Sequence, residues 1–133
     1  MKALITGASS GMGRDMAKIL SQKGYDLILV ARDEKKLEEV KKQLKTETKI
    51  VVMDISKEEN CKKIYEENKD IDILINNAGF GDCGHFEETS LDKDIQMIHT
   101  NIIAYHILTK LYLKEMIKKD SGKILNVASI AGF

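Results

Sequence analysis

Five short apolar runs alternate with four longer segments of helical spacing, and this alternation constrains the fold more than any other sequence feature. A strict β-α-β alternation with short connections predicts one parallel sheet with helices on both faces. We therefore expect an α/β fold with a doubly wound parallel sheet of five strands in the order 3-2-1-4-5. The predicted strands are residues 2–6, 25–31, 49–53, 71–75 and 122–128, and the predicted helices are residues 11–23, 33–45, 57–68 and 92–119.

Local signals set the predicted helix ends. Gly24 is a natural stop for the first helix because glycine accepts the left-handed backbone that often follows a helix. Ser56 with Glu59 three residues later has the spacing of a capping box for the third helix. Asp92 is the expected cap of the long fourth helix, which follows a loop over residues 76–90.

Composition excludes several classes of protein. Lysine plus arginine equals aspartate plus glutamate at 21 each, and this balance argues against a nucleic-acid-binding or polybasic membrane protein. The apolar runs are far shorter than a membrane span, and no signal peptide is visible, so we expect a cytoplasmic protein. Cys61 and Cys83 lack a paired motif and are interpreted as reduced thiols, a disulfide or metal pair being the alternative.

A glycine-rich turn joins the first strand to the first helix. It reads Thr6-Gly7-Ala8-Ser9-Ser10-Gly11-Met12-Gly13. Ligands of doubly wound sheets bind at the carboxyl ends of the strands, where the strand order reverses between strands 1 and 4. Glycines there let a phosphate approach the main chain, and the helix N-terminus attracts an anion. This turn predicts a Rossmann-type nucleotide site, a purely structural turn being the alternative.

The order of the motifs resembles that of the short-chain dehydrogenase/reductase family. The segment TGASSGMG is similar to that family's TGxxxGxG signature, and Asp54, Asn76-Asn77-Ala78-Gly79, Asn101 and Ser129 follow in the family's order. The resemblance covers the whole chain. It implies that the cofactor is bound by Gly7, Ser9, Ser10, Gly11, Met12, Gly13, Arg32, Asp54, Ile55, Asn76, Ala78 and Gly79.

Residues at the end of the second strand imply which dinucleotide is bound. Ala31 is uncharged where many dinucleotide sites carry an acid, and the guanidinium of Arg32 suits a phosphate dianion. This resembles the family members that prefer NADP(H), with NAD as the alternative cofactor. Arg32 could instead pair with Asp33 or Glu34, and Ser10 stands where such relatives often carry a basic residue.

The resemblance also implies the catalytic roles. Ser129 would hydrogen-bond the substrate oxygen, and Asn101 would help hold a water in the proton relay. Asp54 would accept a hydrogen bond from the adenine amino group, a simple cap being the alternative, and Asn77 is expected to tie neighbouring strands together. A serine triad using any of the three histidines is not expected, because no base is placed beside the serine.

In the family, a tyrosine and a lysine spaced as YxxxK carry the proton and follow the serine. No such pair lies between Ser129 and the last residue, Phe133. Tyr65 and Lys69 fit the same string but precede the fourth strand, so their order in the fold is wrong. We expect residues 1–133 to form a single NAD(P)-binding Rossmann-type domain, incomplete at its C-terminus and without turnover alone.

The expected function is that of an NADP(H)-preferring oxidoreductase acting on a small carbonyl/alcohol substrate, in a homo-oligomer that binds neither nucleic acid nor membrane. A non-catalytic nucleotide-binding module is one alternative. A different Rossmann-type enzyme, such as a methyltransferase, is another, although Ala31-Arg32 argues against that class.

Overall fold

The computed structural model describes residues 1–128 of the chain. Five parallel strands form one sheet in the order β3-β2-β1-β4-β5, which confirms the predicted fold class and strand order. The elements are β1 (Lys2–Thr6), α1 (Gly11–Gln22), β2 (Asp26–Ala31), α2 (Glu34–Lys42), β3 (Thr48–Val52), α3 (Glu58–Glu67), β4 (Ile73–Asn76), α4 (Leu91–Ile98), α5 (Ala104–Lys118) and β5 (Lys123–Asn126).

Side-chain alternation along the central strands divides the core into two clusters. Leu4 and Leu74 point to the face covered by α3 and α5, whereas Ile5 and Ile75 point to the face covered by α1 and α2. In the sheet, Ile5 is the register partner of Ile75 and of Leu29, so the second cluster is continuous across three strands. The sheet therefore has a buried helix layer on each face, as continuous apolar strands require.

Two predicted helix caps are wrong. Helix α3 begins at Glu58 with Lys57 as its N-cap and no side-chain cap bond, and the amide of Ser56 donates to the carboxylate of Asp54 (3.0 Å). Helix α4 is capped by Ser90, whose hydroxyl accepts from the Lys93 amide (3.4 Å), and not by Asp92. In both places, the side chain that accepts a hydrogen bond from a nearby backbone amide is not the predicted cap.

The long fourth helix also differs from its predicted form. A π-helical turn over His99–Ile103 separates α4 from α5, so the helix predicted for residues 92–119 is in fact two α-helices with one widened turn between them. Short π turns of this kind occur mostly as single insertions, frequently at functional sites. Asn101 lies within this turn.

The sheet is covered unevenly at its β5 side. β5 pairs with β4, and within residues 1–128 no strand pairs with its other edge. On the α1 side of β4 and β5 there is an apolar hollow, bordered by Ile19 of α1 and Leu125 of β5, and both side chains are about half exposed.

Candidate nucleotide-binding site

A cavity of about 920 Å³ lies at the carboxyl ends of β1 to β4. Its wall includes eight of the predicted cofactor-binding residues, namely Gly7, Ser9, Ser10, Arg32, Asp54, Ile55, Ala78 and Gly79. Segments far apart in the sequence meet here because parallel strands all end at the same edge of the sheet. The cavity is therefore the candidate site, and its position agrees with the predicted one.

The glycine turn closes tightly against the loop that follows β4. Gly7 has φ +65°, and a Cβ added to it would fall 2.7 Å from the Cα of Ala78. A Cβ on Gly13 would fall 2.2 Å from the carbonyl oxygen of Gly7. Gly11 has φ +55° but no atom within 4 Å of an added Cβ. Gly7 and Gly13 thus permit close packing, whereas Gly11 supplies only the backbone conformation that glycine favours.

Four predicted contacts of the turn and of β4 do not line the cavity. Gly11 and Met12 are exposed, Gly13 is buried under the turn, and Asn76 is fully buried. The amide nitrogen of Asn76 donates to the Thr109 hydroxyl (3.1 Å) and to the Asn126 side chain (2.8 Å). Strand alternation sends this side chain toward α5, on the side opposite to Asn77, so Asn76 connects β4, β5 and α5.

Thr6 joins the two loops that form the cavity, and its role was not foreseen from the sequence. Its buried hydroxyl accepts hydrogen bonds from the backbone amides of Asn77 (3.0 Å) and Ala78 (3.1 Å). The side-chain amide of Asn77 donates in return to the carbonyl of Gly7 (3.1 Å). These three bonds fix the glycine turn relative to the loop that starts in Asn76-Asn77-Ala78-Gly79, called the NNAG loop below. The Asn77 bond connects the end of β4 to the end of β1.

Asn101 holds the other end of the same loop. Its side-chain oxygen accepts from the Phe80 amide (3.1 Å), and its side-chain nitrogen donates to the Phe80 carbonyl (2.8 Å). A Cβ on Gly79 would lie 2.9 Å from that side-chain oxygen. The Asn101 side chain thus positions the loop backbone, and its role in holding a relay water stays a prediction.

Arg32 reaches the cavity from the end of β2. It is exposed, and it forms no ion pair with a carboxylate of residues 1–128, so the alternative pairing with Asp33 or Glu34 is not seen. Asp33 is the N-cap of α2, and its carboxylate accepts from the Lys36 amide (3.1 Å). Within residues 1–128, the guanidinium of Arg32 is therefore not neutralised by a paired carboxylate.

Asp54 lines the cavity directly after β3, which β2 and β1 separate from β4 in the sheet. One carboxylate oxygen accepts from the Ser56 amide, and the side chain of Asn60 donates to the Asp54 carbonyl (2.8 Å). These bonds form a local turn that fixes the carboxylate while leaving it part exposed. This geometry is compatible with both expected roles of Asp54, a simple cap of the local backbone and a contact with an adenine amino group.

Tyr65, the tyrosine of the out-of-place YxxxK string, does not line the cavity. It is buried in α3, and its hydroxyl donates to the Glu115 carboxylate on α5. That hydrogen bond, with burial next in importance, raises the pKa of Tyr65 to about 12. A proton relay needs a tyrosine whose pKa is lowered toward neutrality, so Tyr65 is a packing residue.

Other reactive groups lie outside the cavity or are inert. Burial, reinforced by nearby carboxylates, raises the pKa of the Cys61 thiol to about 11, whereas Cys83 is exposed in the loop before α4. Within residues 1–128, no three metal-ligating side chains come together. No helix in this part of the chain is long and apolar enough to cross a bilayer. Ser129 falls outside the described residues.

Comparison with known proteins gives one consistent family. The chain is 36% identical over 135 residues to an uncharacterized oxidoreductase of Staphylococcus epidermidis, covering 98% of this chain and 59% of the relative. It is 34% identical over 134 residues to a 3-oxoacyl-[acyl-carrier-protein] reductase of Haemophilus influenzae, covering 98% of this chain and 55% of that protein. The chain therefore spans little more than half the length of these relatives.

A solved structure agrees with these sequence matches. The short-chain dehydrogenase from Sphingobium yanoikuyae in complex with NADPH superposes with a TM-score of 0.92 and 29% sequence identity. The match covers 99% of this chain and 54% of that one. The family model for short chain dehydrogenases matches residues 1–133, which is the whole sequence. By this match, and by the glycine turn, NNAG loop and strand order described above, the chain belongs to the short-chain dehydrogenase family.

Proposed function

We propose that this chain is the cofactor-binding part of an NADP(H)-preferring oxidoreductase that acts on a carbonyl/alcohol pair. The observation that carries the cofactor preference is the exposed Arg32 on the cavity wall, next to the uncharged Ala31 and without a carboxylate partner in residues 1–128. A ribose 2′-phosphate would find a planar cation there, whereas a site for NAD usually places an acid at this strand end.

The residues of the glycine turn fit a pyrophosphate group. The first turn of α1 has no acidic residue and no side-chain cap, so its amides and the helix dipole are free to stabilise an anion. Gly7 and Gly13 bring this turn against the NNAG loop, and Asp54, which follows β3, would accept from the adenine amino group. The bound nicotinamide would supply the hydride chemistry.

The catalytic part of the proposal concerns positioning. Asn101 holds the loop at Phe80, and this loop leads into residues 81–90, which we assign to the substrate side of the cavity. Ser129 would orient the substrate oxygen. Residues 1–133 contain no YxxxK pair after Ser129, so this chain alone should bind the dinucleotide without turning it over.

Cofactor titration tests the preference. The unaltered chain should bind NADP(H) more tightly than NAD(H), and Arg32→Asp should reverse the order, because a charge-assisted hydrogen bond is worth about 1.5–3 kcal/mol. Isothermal calorimetry with both cofactors measures this directly. Equal affinity for the two cofactors in the unaltered chain would refute the preference.

A thermal-shift assay separates this proposal from a methyltransferase, and an activity assay separates it from a non-catalytic nucleotide-binding module. NADPH should raise the melting temperature, and S-adenosylmethionine should not, whereas a methyltransferase would show the opposite pattern. NADPH oxidation should stay at background across a panel of ketones and aldehydes for residues 1–133. A longer chain that includes a YxxxK pair should be active if the protein is an oxidoreductase, and inactive if it is a non-catalytic nucleotide-binding module.

A further inference from the structure

We infer that Tyr105 of α5 is a positioning residue for the nicotinamide end of the cofactor, because its hydroxyl holds the backbone that follows β5. This inference rests on the proposed function and extends it to a residue outside the motifs described above. The Tyr105 hydroxyl donates to the carbonyl oxygen of Val127 (3.3 Å), and the Val127 amide donates to the carbonyl oxygen of Asn76 on β4 (2.9 Å). The first residue after β5 is thus bonded to a helix as well as to the neighbouring strand.

The side chain of Tyr105 is suited to a fixed hydrogen bond. It is half-buried on α5, and burial raises the pKa of the Tyr105 hydroxyl above its usual range. The hydroxyl therefore remains protonated, and able to donate, at and well above neutral pH. A tyrosine side chain also has only two rotatable bonds, so holding it in one geometry costs little conformational entropy.

Tyr105 belongs to a row of three polar side chains along one edge of the helix. Asn101, Tyr105 and Thr109 are four positions apart, which is close to one helical turn. Asn101 holds the backbone of Phe80 in the loop after β4, and the Thr109 hydroxyl accepts from the side chain of Asn76 at the end of β4. The row therefore ties the ends of two strands to one helix, and Tyr105 supplies the bond on the β5 side.

The place of this bond follows from how a dinucleotide would lie across the strand ends. In the proposed site, the adenine half extends from Asp54, after β3, to the glycine turn, after β1. These strands are two spacings apart in the order β3-β2-β1-β4-β5, which is about 10 Å. The pyrophosphate joins two halves of similar size, so the nicotinamide half would extend a similar distance to the other side of β1. That distance reaches the ends of β4 and β5, where Tyr105 holds the backbone.

A backbone that is fixed in advance binds a ligand more tightly than one that has to be ordered on binding. Loss of the Tyr105 hydroxyl should therefore weaken the binding of the nicotinamide half and leave the binding of the adenosine half unchanged. A role confined to overall stability would not distinguish between the two halves.

The test compares NADPH with 2′,5′-ADP, the fragment that keeps the adenosine and its 2′-phosphate but lacks the nicotinamide half. Calorimetry gives both dissociation constants for the unaltered chain, for Tyr105→Phe and for Tyr112→Phe. The control removes a hydroxyl of the same helix that also donates to a backbone carbonyl, that of Asn68 (2.8 Å), which follows α3 and does not line the cavity. Hydrogen exchange of the Val127 amide, followed by NMR without ligand, reports whether the backbone after β5 is held.

In Tyr105→Phe we expect NADPH affinity to fall about fivefold and the Val127 amide to exchange about fivefold faster, as for the loss of one hydrogen bond. The affinity for 2′,5′-ADP should change by less than about twofold, and so should both affinities in Tyr112→Phe, whatever the fall in its melting temperature. An unchanged exchange rate at Val127 in Tyr105→Phe would overturn the inference. So would an NADPH affinity that stays the same or falls together with that of 2′,5′-ADP, or an equal selective fall in the control. A failure of the proposed function is seen separately, as an unaltered chain that binds neither probe, and that result would overturn both.

Discussion

Replacing Gly13 by alanine tests the close packing on which the nucleotide site depends. The new Cβ would lie 2.2 Å from the Gly7 carbonyl oxygen and 2.6 Å from the side-chain nitrogen of Asn77. Ordinary contacts of this kind are about 3.5 Å, so the start of α1 must move by roughly 1 Å. Overpacking costs about 1–3 kcal/mol, and loss of the Asn77 hydrogen bond costs about 1 kcal/mol more.

Alanine's better helix propensity offsets up to about 1 kcal/mol of this cost. We therefore expect the free energy of unfolding to fall by about 2 kcal/mol, which moves a urea midpoint by roughly 1 M. Gly81→Ala is the matched control, since no atom lies within 4 Å of an added Cβ there, and it should stay within about 0.5 kcal/mol of the unaltered chain. A Gly13→Ala variant as stable as the control would refute the packing argument.

Three further outcomes are expected. Thr6→Val leaves the backbone amides of Asn77 and Ala78 without their acceptor and should lower the free energy of unfolding in urea by about 2–4 kcal/mol. Thr6→Ser keeps the hydroxyl and should retain most of that stability. At pH 8 a thiol reagent should label the exposed Cys83 quickly. Cys61, with its pKa raised to about 11, should be labelled only at higher pH or in denaturant. Rapid labelling of both cysteines in the folded chain would contradict this. The open edge of β5 should promote self-association that Leu125→Lys weakens, and sedimentation of a clean monomer at high concentration would exclude it.

The sheet could be predicted from the sequence because its signals are local and repeated. Each strand contains an apolar run, and the alternation of elements predicts a parallel sheet with helices on both faces, for which 3-2-1-4-5 is the common order in dinucleotide-binding folds. The predicted strand ends differ from the observed ones by up to two residues. The cavity was predicted for the same reason, since motifs that follow parallel strands must meet at one edge.

The missed features depend on contacts between distant residues. The hydroxyl of Thr6 bonds to amides more than 70 positions away, and no local pattern distinguishes it from any other threonine in a strand. The π turn contains Asn101, whose side chain is hydrogen-bonded to the backbone of Phe80, 21 positions earlier in the chain. Asn76 could have been assigned correctly, because strict strand alternation places it on the opposite side from Asn77.

The division of the core by the sheet determines how the effects of mutations combine. Leu108, on α5, belongs to one core cluster, and Leu37, on α2, belongs to the other. Energetic coupling needs shared contacts, so a cavity made at one of these leucines is relaxed by its own helix layer and leaves the other layer unchanged. The chain can therefore accumulate changes on its two faces almost independently, while the strand ends that hold the nucleotide site remain common to both.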